Sequence, residues 1–232
     1  LGFHAIEFLL WGQDLSASGP GARPYTDYLV TGGTASNQGR RGTYLKVVAD
    51  VLVDGIAQVR NAWDPAGTAN YRAEFLAMDN TVALRKMFSS MKALSGEELA
   101  QERINTALTN QQLTGNGQED EHSCFSDNTH RDIVLNAKAV QNLYMGSYTR
   151  ANGVTVVSGY SLNDLMQLYD AAKNTAVVNA LTLSNTKIAA MQIPFDQAII
   201  YDQADVAAAV NALEDEALKI KDVAATMGII LQ

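Results

Sequence analysis

Apolar residues recur along most of the chain at intervals of three and four, in long blocks separated by shorter polar stretches. Because an α-helix has about 3.6 residues per turn, this spacing collects apolar side chains on one face and predicts amphipathic helices. The predicted helical segments are 44–63, 75–94, 133–144, 162–191 and 206–227. A hydroxyl three residues before a carboxylate further predicts that helices begin at Ser95 and at Ser161.

Two segments depart from the helical pattern. Residues 12–42 hold seven of the seventeen glycines and two of the four prolines, which predicts a long loop. Asn152-Gly153 followed by the β-branched run 154–157 predicts a hairpin turn. We therefore predict an all-α fold of antiparallel helical bundles with one small β-hairpin near 149–160.

Composition excludes several classes of protein. The 232 residues contain one cysteine, Cys124, so no internal disulfide stabilises the fold. A formal net charge of -8 argues against nucleic acid as a partner, because neutralising phosphates requires clustered Lys and Arg. The chain has no run of about 18 apolar residues of the kind that spans a membrane.

The candidate chemistry lies with the three histidines, each of which is three residues from a carboxylate. The pairs are His4 with Glu7, His122 with Glu119, and His130 with Asp127. Positions i and i+3 are neighbours on a helix, so an imidazole and a carboxylate at this spacing can reach one cation. A surface hydrogen bond or a buried ion pair is the alternative for each. His4 and Glu7 stand among apolar residues, which predicts that their helix is buried.

The known zinc-peptidase motifs are incomplete here. No His-Glu-x-x-His occurs, and the inverted form His-x-x-Glu-His, read from His4, fails at Phe8. A zinc site would therefore need a further ligand from a distant part of the sequence.

Three stretches together resemble a known family. They are Gly2-Phe3-His4-Ala5-Ile6-Glu7, Arg23-Pro24-Tyr25-Thr26-Asp27-Tyr28, and the run from Glu119 to His130. In order and spacing they are similar to the imelysin family, also classed as the M75 peptidases, and to its iron-regulated branch. The Gly-x-His-x-x-Glu stretch matches the family's signature, and the resemblance extends over nearly the whole chain.

The resemblance implies two related helical-bundle domains with a functional cleft. We expect residues 1–94 to be the remainder of a first bundle that is incomplete at its N-terminus, and residues 95–232 to be the second. It also implies a location in the bacterial periplasm or on the outer-membrane surface, often as a lipoprotein. Any membrane attachment would then come through a lipid anchor preceding this chain.

Candidate site residues follow from the resemblance and from the histidine spacing. His4 and Glu7 match the signature pair. The candidate metal ligands are His4, Glu7, Glu119 and His122, of which Glu119 and His122 rest on spacing alone. The candidate cleft residues are Arg23, Ser123, Ser126, Asp127 and Asn128, and the candidate catalytic carboxylates are Glu7 and Glu121.

Three hypotheses for the function stay open from the sequence. In the first, these groups hold a divalent or ferric ion, with iron favoured and zinc the alternative. In the second, the protein is a metallopeptidase in which Glu7, Glu119 or Glu121 is the general base. In the third, the protein binds a small ligand or peptide without metal, and the His4–Glu7 pair organises the cleft.

Overall fold

The computed structural model describes residues 2–231, and helices make up most of that range. The α-helices are α1 (Phe3–Trp11), α2 (Gln38–Ala62), α3 (Tyr71–Ala77), α4 (Asn80–Lys92), α5 (Thr106–Thr114), α6 (Thr129–Met145), α7 (Leu162–Tyr169), α8 (Ala171–Ala190), α9 (Phe195–Tyr201) and α10 (Gln203–Thr226). A π-helical segment, Ala93–Asn105, joins α4 to α5 without a break, and 3₁₀ turns span Tyr25–Tyr28 and Gly117–Asp120. The strands are β1 (Ser147–Thr149) and β2 (Val156–Ser158). The predicted all-α fold is confirmed.

The predicted hairpin is also confirmed. Strands β1 and β2 pair antiparallel, with Tyr148 opposite Val157. The side-chain oxygen of Asn152 accepts hydrogen bonds from the backbone N–H groups of Val154 and Thr155, at 3.1 and 3.0 Å. Gly153 has a φ of 71°, a conformation that costs glycine little and that Asn-Gly turns require.

The chain divides into two compact units. The first contains the described residues up to Asp79 together with Ser123–Asn128, and the second contains Asn80–His122 and the described residues from Thr129 onward. The expected boundary between residues 94 and 95 lies within the continuous helical run from Asn80 to Thr114. That the family's two related bundles divide there stays a prediction.

The second unit holds the large apolar core around α10. This helix packs most extensively against α8 and the π-helical segment. Two apolar clusters lie along it, one including Phe195 and Leu213 and the other including Phe88 and Ile220. Because buried residues recur on α10 at intervals of three and four, a single face of this helix serves both clusters.

Of the two predicted helix starts, one is confirmed and one is wrong. Ser161 forms a capping box, in which its hydroxyl accepts from the N–H of Asp164 at 3.0 Å and the Asp164 carboxylate accepts from the N–H of Ser161. Ser95 lies inside the π-helical segment, where it is buried and donates to the carbonyl of Leu213 at 3.0 Å. Packing against α10 overrides the local capping preference, because the hydroxyl finds its partner there.

Two predicted helical segments are interrupted. The segment 75–94 breaks at residues 78–79, and the segment 162–191 breaks at Asp170. The side chain of Asp170 accepts from the N–H of Lys173 at 3.0 Å and so caps α8. Apolar periodicity continues across such breaks, so it cannot locate them.

The first unit contains few buried residues. In the 25-residue helix α2, Val48 alone is buried among the described residues. Trp63 contacts Tyr71 and Phe75 with ring centroids 5.2 and 5.7 Å apart, which fixes α3 against the end of α2. Across residues 2–231, no helix is both long and apolar enough to cross a bilayer.

The close approach of Gly96 to α10 generates a prediction about packing. A Cβ at Gly96 would lie 2.8 Å from the Cβ of Ala217. We expect Gly96→Ala to lower the free energy of unfolding by roughly 1–3 kcal/mol through overpacking. Combining it with Ala217→Gly removes the clash, so the double variant should be more stable than the sum of the single changes predicts. Urea denaturation measures all four proteins.

Gly55 provides the matched control for this measurement. A Cβ at Gly55 in α2 meets nothing within 4 Å, so Gly55→Ala should stabilise by up to about 1 kcal/mol through helix propensity. Equal stabilisation by Gly96→Ala and Gly55→Ala would contradict the packing assigned to the π-helical segment.

Candidate functional site

The Glu7 carboxylate is the centre of the candidate site, and it is buried. Its Oε1 accepts three hydrogen bonds, from the N–H of Phe125 at 3.1 Å, the N–H of Ser126 at 2.9 Å and the hydroxyl of Ser126 at 2.8 Å. Its Oε2 lies 2.8 Å from Nδ1 of His4. Four contacts thus share the two oxygens, which is how a buried carboxylate is stabilised away from water.

His4 reaches Glu7 because the two residues lie one turn apart on α1. When Nδ1 donates to the carboxylate, the lone pair of the neutral imidazole is on Nε2. The side chain of His4 is 46% exposed, whereas that of Glu7 is 9% exposed. The pair therefore joins a buried carboxylate to an imidazole at the protein surface.

The expectation that α1 is buried all round is wrong. Among its described residues, Glu7 and Leu9 are buried, while Phe3 and Leu10 are exposed. Apolar residues occur on all sides of this short helix, but the rest of the first unit covers only one side of the helix. The buried side is the one that carries the Glu7 carboxylate.

Aromatic and cationic groups form a second contact beside Glu7. The rings of Phe8 and Phe125 meet edge to face with centroids 5.0 Å apart. The guanidinium of Arg23 lies 5.3 Å from the centroid of Phe8, and its Nη2 donates to the carbonyl of Phe8 at 3.3 Å. Nη1 of Arg23 donates to Asp27 at 3.2 Å. Arg23 thus links the loop after α1 to the ring that packs on the 123–128 segment.

The C-terminal end of α1 is held by the same loop. The N–H of Arg23 donates to the carbonyl of Trp11 at 2.8 Å, and the hydroxyl of Tyr28 donates to the carbonyl of Leu9. The N–H of Gly21 donates to the carbonyl of Phe125 at 2.9 Å. A Cβ at Gly21 would lie 2.7 Å from the carbonyl oxygen of Trp11, so this close approach requires glycine.

A cleft opens in the first unit where α1 ends. Its volume is about 450 Å³, and its walls include Trp11, Asp14, Arg23 and Asp27. Asp14 is buried and its Oδ1 accepts from the N–H of Ser16 at 2.8 Å. The cleft therefore combines an aromatic ring, two carboxylates and one guanidinium, which suits a small polar ligand.

The structure distributes the remaining predicted residues between the two units. Ser123 and Asp127 are buried and Asn128 is exposed, all within the 123–128 segment of the first unit, and Asp127 has a φ of 52°. Glu119 is exposed on the Gly117–Asp120 turn, and Glu121 is buried, both in the second unit.

His122 has a partner that its spacing from Glu119 did not indicate. Its Nδ1 lies 2.9 Å from Oδ2 of Asp132, on α6 of the second unit. His130 lies in the first turn of the same helix. Because Asp132 is ten residues from His122 in sequence, a local search for neighbouring carboxylates does not find it.

Sequence reasoning missed several residues of the site. Phe125 takes part through its backbone and its ring, and Gly21 through the absence of a side chain, so neither has a chemical signal in the sequence. Tyr28 could have been predicted as a site residue, because it is the last residue of the stretch from Arg23 to Tyr28 that resembles the imelysin family. Ser126 and Glu7 are 119 positions apart in sequence, so their pairing depends on the fold.

A complete metal site is not formed by the side chains of residues 2–231, in which no group of three or more His, Cys, Asp or Glu is placed to hold an ion. Oε1 of Glu7 could become a ligand only by giving up hydrogen bonds from Phe125 or Ser126, whereas Oε2 lies against His4. The donor set of the first unit alone thus does not fit a resident metal coordinated by Glu7, and metal ligation by the predicted residues stays a prediction.

The fold and this site define a helical protein in which a His-x-x-Glu pair on one helix holds a distant loop. The sequence model of imelysin, peptidase M75, matches residues 1–220. The chain therefore belongs to the imelysin family, as its motifs predicted.

A solved structure shares the fold. It is described as an iron-regulated protein A precursor from Parabacteroides distasonis ATCC 8503, with a TM-score of 0.75 and 18% sequence identity. The similarity covers 96% of this chain and 62% of that protein, so the chain spans less than two thirds of its length. No curated protein matched the chain by sequence.

The hydrogen bonds of Glu7 generate a prediction about stability. Glu7→Ala leaves the N–H groups of Phe125 and Ser126 without their acceptor, so it should lower the free energy of unfolding by roughly 2–4 kcal/mol. Ser126→Ala removes one hydroxyl and should cost about 1 kcal/mol. Amide hydrogen exchange at residues 125 and 126 should accelerate in Glu7→Ala and stay slow in Ser126→Ala.

Asp50→Ala is the control, because Asp50 is an exposed carboxylate on α2 of the same unit. It should change neither stability nor exchange at residues 125 and 126. Unchanged exchange in Glu7→Ala would show that this carboxylate does not hold the segment.

Proposed function

We propose that this chain carries the ligand-binding cleft of an imelysin-type protein of the bacterial cell envelope. Its ligand is a cation or a small cation-bearing molecule, with iron the first candidate. The observation that carries the proposal is that Glu7 makes four hydrogen-bond contacts, three of them to the 123–128 segment, beside an open cleft. In this proposal the signature pair organises the cleft, and the groups lining the cleft bind the ligand.

The position of Glu7 supports an organising role over a chemical one. A general base must accept a proton from a substrate or water, and a metal ligand must direct a lone pair at the ion. Oε1 of Glu7 already accepts from Phe125 and from Ser126, and Oε2 lies against His4. Either role taken by Oε1 would break contacts that hold the 123–128 segment, which weakens the peptidase hypothesis for this oxygen.

The composition of the cleft supports a cationic ligand. Arg23 is ion-paired with Asp27, so the carboxylate of Asp14 leaves these three groups with a formal charge of -1, and the whole chain has a formal charge of -8. Hard oxygen donors of this kind suit divalent and ferric ions, with water completing the coordination. The exposed edge of Trp11 would contact any organic part of a chelate.

His4 supports a second candidate position for the ion. A carboxylate that holds one nitrogen of an imidazole is the usual partner of a histidine whose other nitrogen binds a metal. Glu7 would then be an orienting partner of the ligand His4, and zinc would be the alternative ion. This position needs further ligands that the first unit does not itself supply, so the cleft is the preferred site.

The envelope location rests on the family to which the chain belongs and on the described precursor from Parabacteroides distasonis. Periplasmic and outer-membrane surface proteins meet metal ions and their chelates before import. An iron-associated binding protein fits that setting, and a peptide remains the alternative ligand.

Fluorescence of Trp11 tests the proposal. The chain has two tryptophans, so a Trp63→Phe background leaves Trp11, at the cleft wall, as the single reporter. Ferrous iron, ferric citrate, zinc chloride and triglycine are titrated in turn. We expect saturable quenching by an iron form, with a Kd at least about tenfold weaker in Asp14→Asn, a loss of about 1.4 kcal/mol of binding free energy.

Two further variants separate the candidate positions. His4→Ala should leave the iron Kd within about twofold if the ion lies in the cleft, and should abolish binding if His4 is its ligand. Asp50→Asn is the control for general loss of negative charge. Absence of saturable binding by all four probes, or iron binding that Asp14→Asn does not weaken, would count against the cleft as the site.

A further inference from the structure

The core of the second unit contains an acidic residue that the proposed function does not use. Glu216 is fully buried on α10, between the apolar clusters that include Leu213 and Ile220. The hydroxyl of Ser184 on α8 donates to its Oε2. Its Oε1 has no hydrogen-bond partner within residues 2–231. An ionised carboxylate in this setting would be very poorly solvated.

The groups that face Glu216 from the neighbouring elements are hydroxyls. Ser184 approaches from α8 and Ser95 from the π-helical segment. Burial is the larger effect and raises the pKa of Glu216, while hydrogen bonding from these hydroxyls lowers it. Because Ser95 directs its single proton at the Leu213 carbonyl, Ser184 is the hydroxyl that donates to Glu216. No charged side chain among the described residues contributes to that shift.

Several charged groups on the same elements pair with groups other than Glu216. The ion pairs are Lys92 with Glu97, Arg103 with Glu98, and Asp215 with Lys219, while Lys173 of α8 donates to Thr226. Each of these pairs has a partly exposed member or lies at the surface. The Glu216 carboxyl therefore lacks a counter-ion from these pairs.

We propose that Glu216 is a neutral acid in the native protein and that its ionisation loosens the contact of α10 with α8 and the π-helical segment. As a neutral group, it acts as a small polar link across an apolar core. Once ionised, it requires water or a cation. We expect either to enter by opening the neighbouring contacts of Ser95 with Leu213 and of Gly96 with Ala217. The packing of α10 in the second unit would thus weaken as the pH rises.

The direction of the response follows from proton linkage. The pKa of Glu216 is raised in the folded chain above its ordinary value of 4.5, so the folded state binds this proton more tightly than the unfolded state. The stabilisation is complete below that ordinary value and is lost as the pH rises through the folded-state pKa. A pH that rises through the folded-state pKa of Glu216 should therefore weaken the second unit.

Urea denaturation between about pH 5 and pH 9 tests the proposal on the whole chain. The free energy of unfolding should fall with pH in the unmodified protein, and Glu216→Gln should remove about one proton from that slope. Asp215→Asn, on the partly exposed face of the same helix, is the matched control and should leave the slope unchanged. Identical slopes in the unmodified protein and in Glu216→Gln would overturn the proposal.

A second measurement needs no variant and covers the case in which Glu216→Gln does not fold. Carbon-13 NMR of the side-chain carboxyls should find one glutamate that stays protonated at neutral pH. If every glutamate titrates in the ordinary range, the proposal is wrong. Both measurements concern the second unit, so their failure leaves the cleft proposal untouched, and failure of iron binding leaves this one untouched.

Discussion

The first unit depends on the hydrogen bonds between the Glu7 carboxylate and the backbone of Phe125 and Ser126. A buried carboxylate must find donors, and a loop segment held within a unit must find acceptors for its N–H groups. The carboxylate of Glu7 accepts from these N–H groups, so both requirements are met, although more than a hundred residues separate the two parts in sequence. The edge-to-face contact of Phe8 with Phe125 and the bond from Gly21 to Phe125 then fix the same segment from two further directions.

This arrangement assigns a structural role to His4 and Glu7, the pair that resembles the family's signature. A histidine and a glutamate three residues apart are readily interpreted as metal ligands or as catalytic groups. Here the glutamate is a structural acceptor and the histidine is its half-exposed partner. In the proposed function, the ligand binds in the neighbouring cleft, whose walls come from the loop that Arg23 and Gly21 attach to α1.

Much of the fold was predictable because it depends on local pattern. The long helices follow from apolar periodicity, and the hairpin follows from Asn152-Gly153. The false helix start at Ser95 and the exposure of α1 were not predictable, because both depend on what packs against them. Ser95 satisfies its hydroxyl on α10, and α1 is covered on one side by the first unit.

The candidate site was predictable in part of its membership but not in its connections. Glu7, Arg23 and Ser126 were named from motifs, yet the bond between Glu7 and Ser126 requires the fold to bring residue 126 to α1. His122 was paired with Glu119 by spacing, whereas the structure places it against Asp132. Local spacing finds groups capable of chemistry, and tertiary packing decides which of them remain available for it.

The most direct measurement of the central claim is a crystal structure of the iron-soaked protein with anomalous diffraction recorded at the iron absorption edge. The account predicts an anomalous peak in the cleft beside Asp14, with the Glu7 carboxylate still bonded to Phe125 and Ser126. A peak within coordination distance of Glu7, with the 123–128 segment displaced, would contradict it.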